Sequence, residues 1–223
     1  RKISLKAPLQ ESLAASMIAA TKWDRKAPFI NPMCGSGTLA IEAALMACNK
    51  APGLIRTNFG FMHVKGYEPS VYESVRREAA EKVVKDIPCK IIASDIDREA
   101  LKAARTNAEH AGVSHLIQFI KSDFESTPVP EEPGIVMFNP PYGERLGAAA
   151  DLEILYSNIG NFLKKSCRGY WGYIFTANPT LAKRVGLKAK RKIDFYNGQL
   201  KCKLLEYEMY EGSKKAKVVV AEE

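Results

Sequence analysis

Residues 139–142 read Asn-Pro-Pro-Tyr and combine residue types that could hold a planar amine. Two consecutive prolines rigidify the backbone and supply no N–H donor, and Pro140 also keeps Asn139 extended. The backbone carbonyls and the Asn139 side-chain oxygen can then accept hydrogen bonds from an –NH₂ group, while Tyr142 offers a flat face for stacking. The segment therefore predicts recognition of an exocyclic amine, with Asn139, Pro140 and Tyr142 as catalytic candidates. A purely structural turn is the alternative interpretation.

A second segment with unusual spacing runs from Asn31 to Thr38 (NPMCGSGT). Gly35 and Gly37 permit positive φ angles and remove side chains from the surface of the loop. A helix is expected to begin at Thr38, so its free N–H groups would face the same space. The spacing is neither GxGxxG nor a phosphate-binding loop, which disfavours hydride and phosphoryl transfer. From the residues alone, a tight strand-to-helix turn and a ligand-binding loop both fit.

Acidic residues follow two further expected strands. Asp95, followed by Ile96, stands at the end of one strand, and its carboxylate could accept both hydroxyl protons of a ribose diol. Asp97 is better suited to cap the next helix. Asp123 could accept a hydrogen bond from an adenine amino group, with Phe124 alongside the ring. A helix cap or a polar turn is the alternative for both carboxylates.

These segments must be positioned by an alternation of strands and helices, which predicts an α/β fold with a mainly parallel sheet and helices on both faces. Expected strands cover residues 28–31, 90–94, 116–121, 134–138 and 171–176, and expected helices cover residues 9–21, 38–48, 71–84, 97–110, 152–165 and a short stretch near residue 181. Two further β segments, 189–196 and 201–210, flank Asn197-Gly198, a strong signal for an antiparallel C-terminal hairpin. In such sheets ligands bind at the carboxyl ends of the strands, where the unusual residues collect.

Length and composition predict a single domain spanning residues 1–223. Within it we expect a helical lead-in at 1–25, an irregular insertion at 49–66 and a charged tail at 212–223. The chain begins with Arg1 rather than Met, which suggests an internal cut in a longer protein. No apolar run approaches the roughly 20 residues that a membrane span needs, so no membrane association is expected.

The charge balance favours a polyanionic partner, usually nucleic acid, because the formal net charge is +8 with a pI near 9.2. Between Lys183 and Lys203 eight cations stand against one acid, Asp194, so this cluster is either an RNA contact or a solvated face. The five cysteines are scattered, odd in number and form no CxxC pair, and only three histidines occur. This pattern predicts a reduced, cytoplasmic protein without disulfides and without a metal site.

Taken together, these segments resemble S-adenosylmethionine-dependent methyltransferases of the class I, Rossmann-like type. More closely, the chain is similar to the catalytic domain of the THUMP-containing RNA guanine-N2 methyltransferases, which include bacterial enzymes acting on 23S ribosomal RNA. The likeness covers nearly the whole chain and rests on APLQESLAASMI, NPMCGSGTLAIEAALMA, SDID and NPPYGERLG. One departure is Asn31, where the family often has Asp; the amide still forms hydrogen bonds but lacks the charge.

The resemblance implies S-adenosylmethionine as cofactor, RNA as substrate and an RNA-binding THUMP domain upstream. The residues that it assigns to the cofactor are Asn31, Cys34, Gly35, Gly37, Thr38, Asp95, Ile96, Asp123, Phe124 and Asn139. The glycine loop would line the amino acid portion, Asp95 the ribose and Asp123 the adenine. The NPPY segment would hold the target base, with Glu144 and Arg145 shaping the substrate side.

Other functions remain open at this point. The NPPY segment also occurs in adenine-N6 and protein glutamine methyltransferases, and a tRNA guanine could replace a ribosomal one. A non-catalytic RNA-binding module is a second class of function, and a nicotinamide dehydrogenase is disfavoured by the spacing of the glycine loop.

Overall fold

The computed structural model describes residues 9–142 and 149–210, which form six α-helices, seven β-strands and four short 3₁₀ helices. The α-helices are α1 (Glu11–Ala19), α2 (Thr38–Ala47), α3 (Pro69–Glu81), α4 (Arg98–Ala111), α5 (Ala149–Ser166) and α6 (Pro179–Arg184). The strands are β1 (Phe29–Pro32), β2 (Ile91–Asp95), β3 (Ile117–Lys121), β4 (Ile135–Phe138), β5 (Trp171–Thr176), β6 (Arg191–Asn197) and β7 (Leu200–Glu208). Most predicted elements lie within two or three residues of these bounds.

The seven strands form one sheet in the order β3-β2-β1-β4-β5-β7-β6. The first five are parallel, whereas β7 runs antiparallel to both β5 and β6. Buried side chains form one cluster on the face covered by α1, α2 and α4, and a second on the face covered by α5 and α6. The predicted fold class, a mainly parallel sheet with an antiparallel hairpin and helices on both faces, is confirmed.

Local sequence explains where α4 begins and ends. The Asp97 carboxylate accepts a hydrogen bond from the Glu99 N–H at 2.8 Å, which satisfies one of the free donors of the first turn. Gly112, with φ at 68°, ends the helix in the left-handed conformation that glycine tolerates best. Both features were expected from the sequence, and the Asp97 cap, two residues after the end of β2, fixes the start of α4.

The predicted hairpin forms around Asn197 and Gly198, with Asn197 paired to Leu200. Gly198 has φ at 62°, a conformation that glycine adopts without steric cost. The alternating exposure along β6 is typical of a strand at the edge of a sheet, with one face packed and one solvated. The hairpin thereby places Asn197 above the carboxyl end of β5.

The segment 49–66, predicted as irregular, contains two short 3₁₀ helices, Pro52–Ile55 and Gly60–His63. Three parts of the prediction lie outside the described residues: the first eight residues, the charged tail 212–223, and Glu144 with Arg145, which were expected on the substrate side. Within 9–142 and 149–210, no helix is long and apolar enough to cross a membrane. The same part of the chain holds no group of three or more His, Cys, Asp or Glu residues arranged for a metal ion.

Candidate functional site

A cavity of 390 Å³ opens at the carboxyl ends of the parallel strands. Its walls come from the loops that follow β1, β2, β3 and β4, with one residue from α5. The lining residues are Met33, Asp95, Ile96, Asp123, Phe124, Asn139, Pro141 and Leu155. Five residues that the sequence singled out, separated by up to 44 positions, therefore converge on one space.

Asp95 connects the end of β2 to the glycine loop. Its Oδ2 atom accepts a hydrogen bond from the Gly35 N–H at 2.8 Å, and its Oδ1 atom accepts one from the Asp97 N–H at 2.9 Å. Each carboxylate oxygen has a second lone pair, so the group can still accept hydrogen bonds from a ligand. Asp95 can therefore hold the loop in place and bind a diol at the same time.

The two glycines of the loop have different surroundings. Gly35 (φ +55°) and Gly37 (φ +83°) both take left-handed conformations. A Cβ atom added at Gly35 would meet no atom of the described residues within 4 Å, whereas one at Gly37 would lie 2.9 Å from Cβ of Ala104. The absent side chain thus opens space at Gly35, and at Gly37 it lets α2 and α4 approach.

Asp123 and Phe124 form the wall that follows β3. The Asp123 side chain accepts a hydrogen bond from the Glu125 N–H at 2.9 Å, which caps a short 3₁₀ helix. The Phe124 ring is 9% exposed and packs edge-on against Phe138 and Phe162, with centroids 5.9 and 6.1 Å away. Phe124 is therefore a core residue that presents only part of its ring to the cavity.

Asn139 carries the most informative side chain of the cavity. Its Oδ1 atom is buried and has no hydrogen-bond partner among the described residues. A buried acceptor without a donor costs about 1–3 kcal/mol, so native proteins rarely leave one without a reason. The free lone pairs at a cavity wall are suited to a ligand that donates hydrogen bonds.

Asn31 has the same feature deeper in the sheet. Its side chain is 1% exposed, and its Nδ2 donates to the Met137 carbonyl oxygen at 3.0 Å. Its Oδ1 atom has no partner within the described part of the chain. Asn31 does not line the cavity, and its hydrogen bond to Met137 connects β1 to β4.

Tyr142 is held at both ends of its side chain. Its ring packs edge-on against Phe175, with centroids 6.2 Å apart, and its hydroxyl oxygen accepts a hydrogen bond from Asn197 Nδ2 at 3.2 Å. Burial raises the pKa of the Tyr142 phenol, so the hydroxyl stays protonated at neutral pH. The ring therefore lies against the hairpin, outside the 390 Å³ cavity but only three residues after Asn139.

Some of the predicted site residues line the 390 Å³ cavity and others do not. The predicted residues that do not line it are Asn31, Cys34, Gly35, Gly37, Thr38, Pro140 and Tyr142. Thr38 instead borders a separate cavity of 90 Å³ together with Ile41 and Ile55. Cys34 is buried, and burial together with the Asp95 charge raises the pKa of its thiol.

Sequence reasoning missed three lining residues and one supporting residue. Met33 has φ at 55°, unusual for a residue with a side chain, and nothing in the sequence indicates it. Pro141 rather than Pro140 lines the cavity, and Leu155 reaches it from α5. Asn197 was noted only as a turn residue, although the hairpin signal could have placed it near the sheet edge.

The cationic cluster between Lys183 and Lys203 is largely compensated by acids. Five of its eight cations form ion pairs: Arg184 with Glu153, Lys190 with Glu208, Arg191 with Glu206, and both Lys201 and Lys203 with Asp194. Exposed pairs of this kind contribute little to stability, but they reduce the uncompensated charge that this face offers to a polyanion.

Comparison with known proteins adds independent information. Residues 1–206 match the family described as RMKL-like, methyltransferase domain. The ribosomal RNA large subunit methyltransferase K/L of Legionella pneumophila is 40% identical over 208 residues, which cover 92% of this chain and 29% of that protein. The chain thus spans less than a third of the length of this curated relative.

Two solved structures share the fold closely. SMU.472, solved in complex with SAH, has a TM-score of 0.86 and 31% identity over 94% of this chain and 55% of its own. A Listeria monocytogenes protein, described as a predicted N6-adenine-specific DNA methylase, has a TM-score of 0.84 and 33% identity over 94% and 53% of the two chains. With the family model matching more than nine tenths of its residues, the chain belongs to the RMKL-like methyltransferase domain family.

Proposed function

We propose that this chain transfers a methyl group from S-adenosylmethionine to the exocyclic N2 amine of a guanine in large-subunit ribosomal RNA. The observation that carries the proposal is the buried Asn139 Oδ1 atom, an acceptor without a donor in the cavity that Asp95 and Asp123 also line. An amine donor at this point satisfies the acceptor and lies beside the space for a nucleoside.

Three features of the described residues fit the cofactor. The Asp95 carboxylate retains lone pairs for the ribose hydroxyls, and Asp123 with Phe124 forms a wall suited to the adenine. Open space at Gly35 lets a ligand approach the backbone of the loop. SMU.472, which shares the fold at 31% identity, was solved with SAH, the demethylated form of this cofactor.

When bound, the cofactor supplies an electrophilic methyl group. Asn139 Oδ1 and the Pro140 carbonyl oxygen would accept hydrogen bonds from the two amine N–H groups and orient the nitrogen lone pair toward that methyl. As the C–N bond forms, the demethylated cofactor would leave as a neutral thioether and the nitrogen would release one proton to water. Positive charge develops on the nitrogen during attack, so these oxygens stabilise the transition state more than the ground state. Positioning supplies much of the remaining acceleration, and a strong general base is not required.

Tyr142 supports the target base from the other side. A base in a stacked helix must leave its stack to reach such a site, which costs a few kcal/mol. Stacking of the base on the Tyr142 ring offsets part of this cost. The ring is already fixed by Phe175 and Asn197, so little further ordering is needed when the base arrives.

The RNA substrate is supported by the curated relative that methylates large-subunit ribosomal RNA and by the net charge of +8. The choice of guanine N2, the upstream THUMP domain and a cytoplasmic location rest on the family resemblance. Adenine N6 is a second candidate, because the Listeria protein at 33% identity is described as acting on that amine in DNA.

The test is methyl transfer by the whole 223-residue chain from labelled S-adenosylmethionine to ribosomal RNA, tRNA and DNA, followed by mass analysis of the nucleosides. We expect N2-methylguanosine in large-subunit ribosomal RNA. N6-methyladenine as the product would replace the guanine assignment, and the absence of cofactor binding by calorimetry would refute the proposal as a whole.

Asn139→Ala tests the observation that carries the proposal. We expect turnover to fall about 100-fold or more while cofactor affinity and thermal stability stay near the wild-type values, because the lost oxygen has no protein partner. Ser122→Ala is a matched control, since Ser122 Oγ is also buried without a partner among the described residues but does not line the cavity. Equal turnover in both variants would remove Asn139 from the mechanism.

A further inference from the structure

Residues 56–67, between α2 and α3, form a surface that the proposed mechanism does not use. Their sequence, RTNFGFMHVKGY, contains Arg56, His63 and Lys65 and no acidic residue. It also contains three aromatic rings, and every residue from 51 to 88 is at least partly exposed. We name the set Arg56, Phe59, Phe61, His63 and Lys65 the basic aromatic surface.

The aromatic rings of this surface are arranged as a stack. Phe59 and Phe61 lie nearly parallel, with centroids 5.3 Å apart and an interplanar angle of 18°, and the Arg56 guanidinium lies 5.2 Å from the Phe59 centroid. Phe61 is 51% exposed. Bases of single-stranded nucleic acid stack on exposed rings such as Phe61, and the guanidinium over the neighbouring ring adds positive charge to the same stack.

Contacts with α3 hold the stacked rings in one arrangement. Arg76 of α3 donates hydrogen bonds to the carbonyl oxygens of Leu54 and Arg56, both at 3.2 Å. The Phe61 ring also contacts Tyr72 on α3, with centroids 5.8 Å apart. These contacts fix the segment to the helix, so binding would not have to order it.

The cations of this surface are uncompensated. Within residues 9–142 and 149–210, neither Arg56 nor Lys65 has a carboxylate partner. By contrast, five of the eight cations between Lys183 and Lys203 are paired with acids. Arg56 and Lys65 are therefore available to phosphates, as are the three cations of the Lys183–Lys203 cluster that have no ion pair among the described residues.

The segment that carries this surface borders the same small cavity as the first turn of α2. Ile55, the residue before Arg56, lines the 90 Å³ cavity together with Thr38 and Ile41 of α2. Helix α2 begins directly after Gly37 of the glycine loop. An RNA strand that enters the candidate site could therefore continue along α2 to this surface.

We propose that the basic aromatic surface binds a single-stranded segment of the RNA substrate that flanks the methylated nucleotide. A base stacks on the exposed Phe61 ring, and phosphates contact Arg56 and Lys65. This inference rests on the proposed function, because it assumes an RNA substrate, but it concerns a surface separate from the methyl-transfer cavity. An interface with another protein is the competing use, since Val64 is also exposed here.

The first experiment measures binding of a fluorescein-labelled, 12-nucleotide single-stranded RNA of mixed sequence by anisotropy. Phe61→Ala is expected to weaken binding about 5- to 150-fold, the range for loss of one stacked base. Lys65→Gln is expected to lower the slope of log affinity against log salt by roughly 0.7. Val64→Ala, an exposed apolar neighbour without a ring, is the matched control and should leave both quantities unchanged.

Cofactor binding separates this inference from the proposed function. Calorimetry should give the wild-type cofactor affinity for Phe61→Ala, together with an unchanged thermal unfolding curve. Wild-type RNA affinity in Phe61→Ala would refute the basic aromatic surface and leave the methyltransferase proposal intact. Unchanged RNA affinity together with altered self-association or loss of a protein contact would show that the surface is a protein interface instead.

A second measurement needs no variant and therefore holds even if Phe61→Ala does not fold. Trypsin cuts after Arg56 and Lys65, so the peptide 57–65 contains both stacked phenylalanines. Photo-crosslinking of the same RNA, carrying 5-bromouridine, to the wild-type chain should place a nucleotide on this peptide. Crosslinks confined to other peptides would overturn the proposal.

Discussion

The Gly35 N–H donates a hydrogen bond to Asp95 Oδ2 over 2.8 Å, across 60 residues of sequence. This bond joins the loop after β1 to the end of β2, the two segments that would meet the amino acid portion and the ribose of the cofactor. A single carboxylate therefore sets the distance between two parts of the candidate site.

Asp95→Asn should weaken cofactor binding, because the amide supplies one acceptor oxygen instead of two and keeps either the Gly35 or the Asp97 hydrogen bond but not both. Loss of a charged acceptor is worth about 1.5–3 kcal/mol, so the dissociation constant should rise roughly 10- to 150-fold by calorimetry. Asp97→Ala is the matched control: it removes the cap of α4 and should lower stability by about 1 kcal/mol at unchanged affinity. Unchanged affinity in Asp95→Asn together with weaker cofactor binding in Asp97→Ala would assign the binding role to Asp97 instead.

Alanine substitutions at the two loop glycines should separate stability from binding. Both positions have positive φ, so each variant carries strain of roughly 1–2 kcal/mol. Gly37→Ala should lose more stability, because its Cβ would lie 2.9 Å from Cβ of Ala104. Gly35→Ala should keep more stability but lose more cofactor affinity, measured by thermal unfolding and calorimetry. Equal losses of affinity would show that the open space at Gly35 receives no ligand.

Asn197 and Tyr142 should act as one unit in substrate binding. Asn197→Ala removes a neutral hydrogen bond worth about 0.5–1.5 kcal/mol, so KM for RNA should rise roughly 2- to 12-fold with kcat little changed. Tyr142→Phe removes the same bond and keeps the ring, and the double variant should be no worse than either single one. Fully additive effects in steady-state kinetics would mean that the bond does not position the ring.

The buried thiols should make the protein sensitive to alkali. Burial raises the pKa of all five cysteines, that of Cys89 to about 11 and that of Cys167 to about 12. Unfolded thiols ionise near 9.0, so this stabilisation is complete below pH 9 and is lost as the pH rises through 11 and 12. Cys167→Ala should flatten the fall of the unfolding temperature between pH 9 and 12. If the unfolding temperature of Cys167→Ala fell as steeply with pH as that of the wild type, the raised pKa of this thiol would not contribute to the loss of stability.

Much of the fold could be read from local patterns. The cap at Asp97, the stop at Gly112 and the turn at Asn197-Gly198 are set by neighbours in sequence, so their positions were predicted closely. The assembly of polar residues at the strand ends followed from the parallel arrangement of the strands, which is a general property of such sheets.

The rest depends on contacts between distant residues. Thr38, a predicted cofactor residue, borders the 90 Å³ cavity together with Ile55, and no local pattern indicates that the two are neighbours. Leu155 reaches the cavity only because α5 crosses that edge of the sheet, and no local pattern distinguishes it from its helical neighbours. The compensation of the Lys183–Lys203 cluster likewise required the strand register that places Asp194 opposite Lys203.

The order of the last three strands has a consequence for synthesis. Strand β7 lies between β5 and β6, so β6 leaves the ribosome before the only neighbour that the described sheet provides for it. Until Leu200–Glu208 has emerged, β6 has no paired strand that connects it to β5. The contact between Phe195 and Phe175 and the hydrogen bond from Asn197 to Tyr142 therefore cannot form within a paired hairpin. Tyr142 would thus gain this support only after β7, the last strand of the described sheet in chain order, has been made.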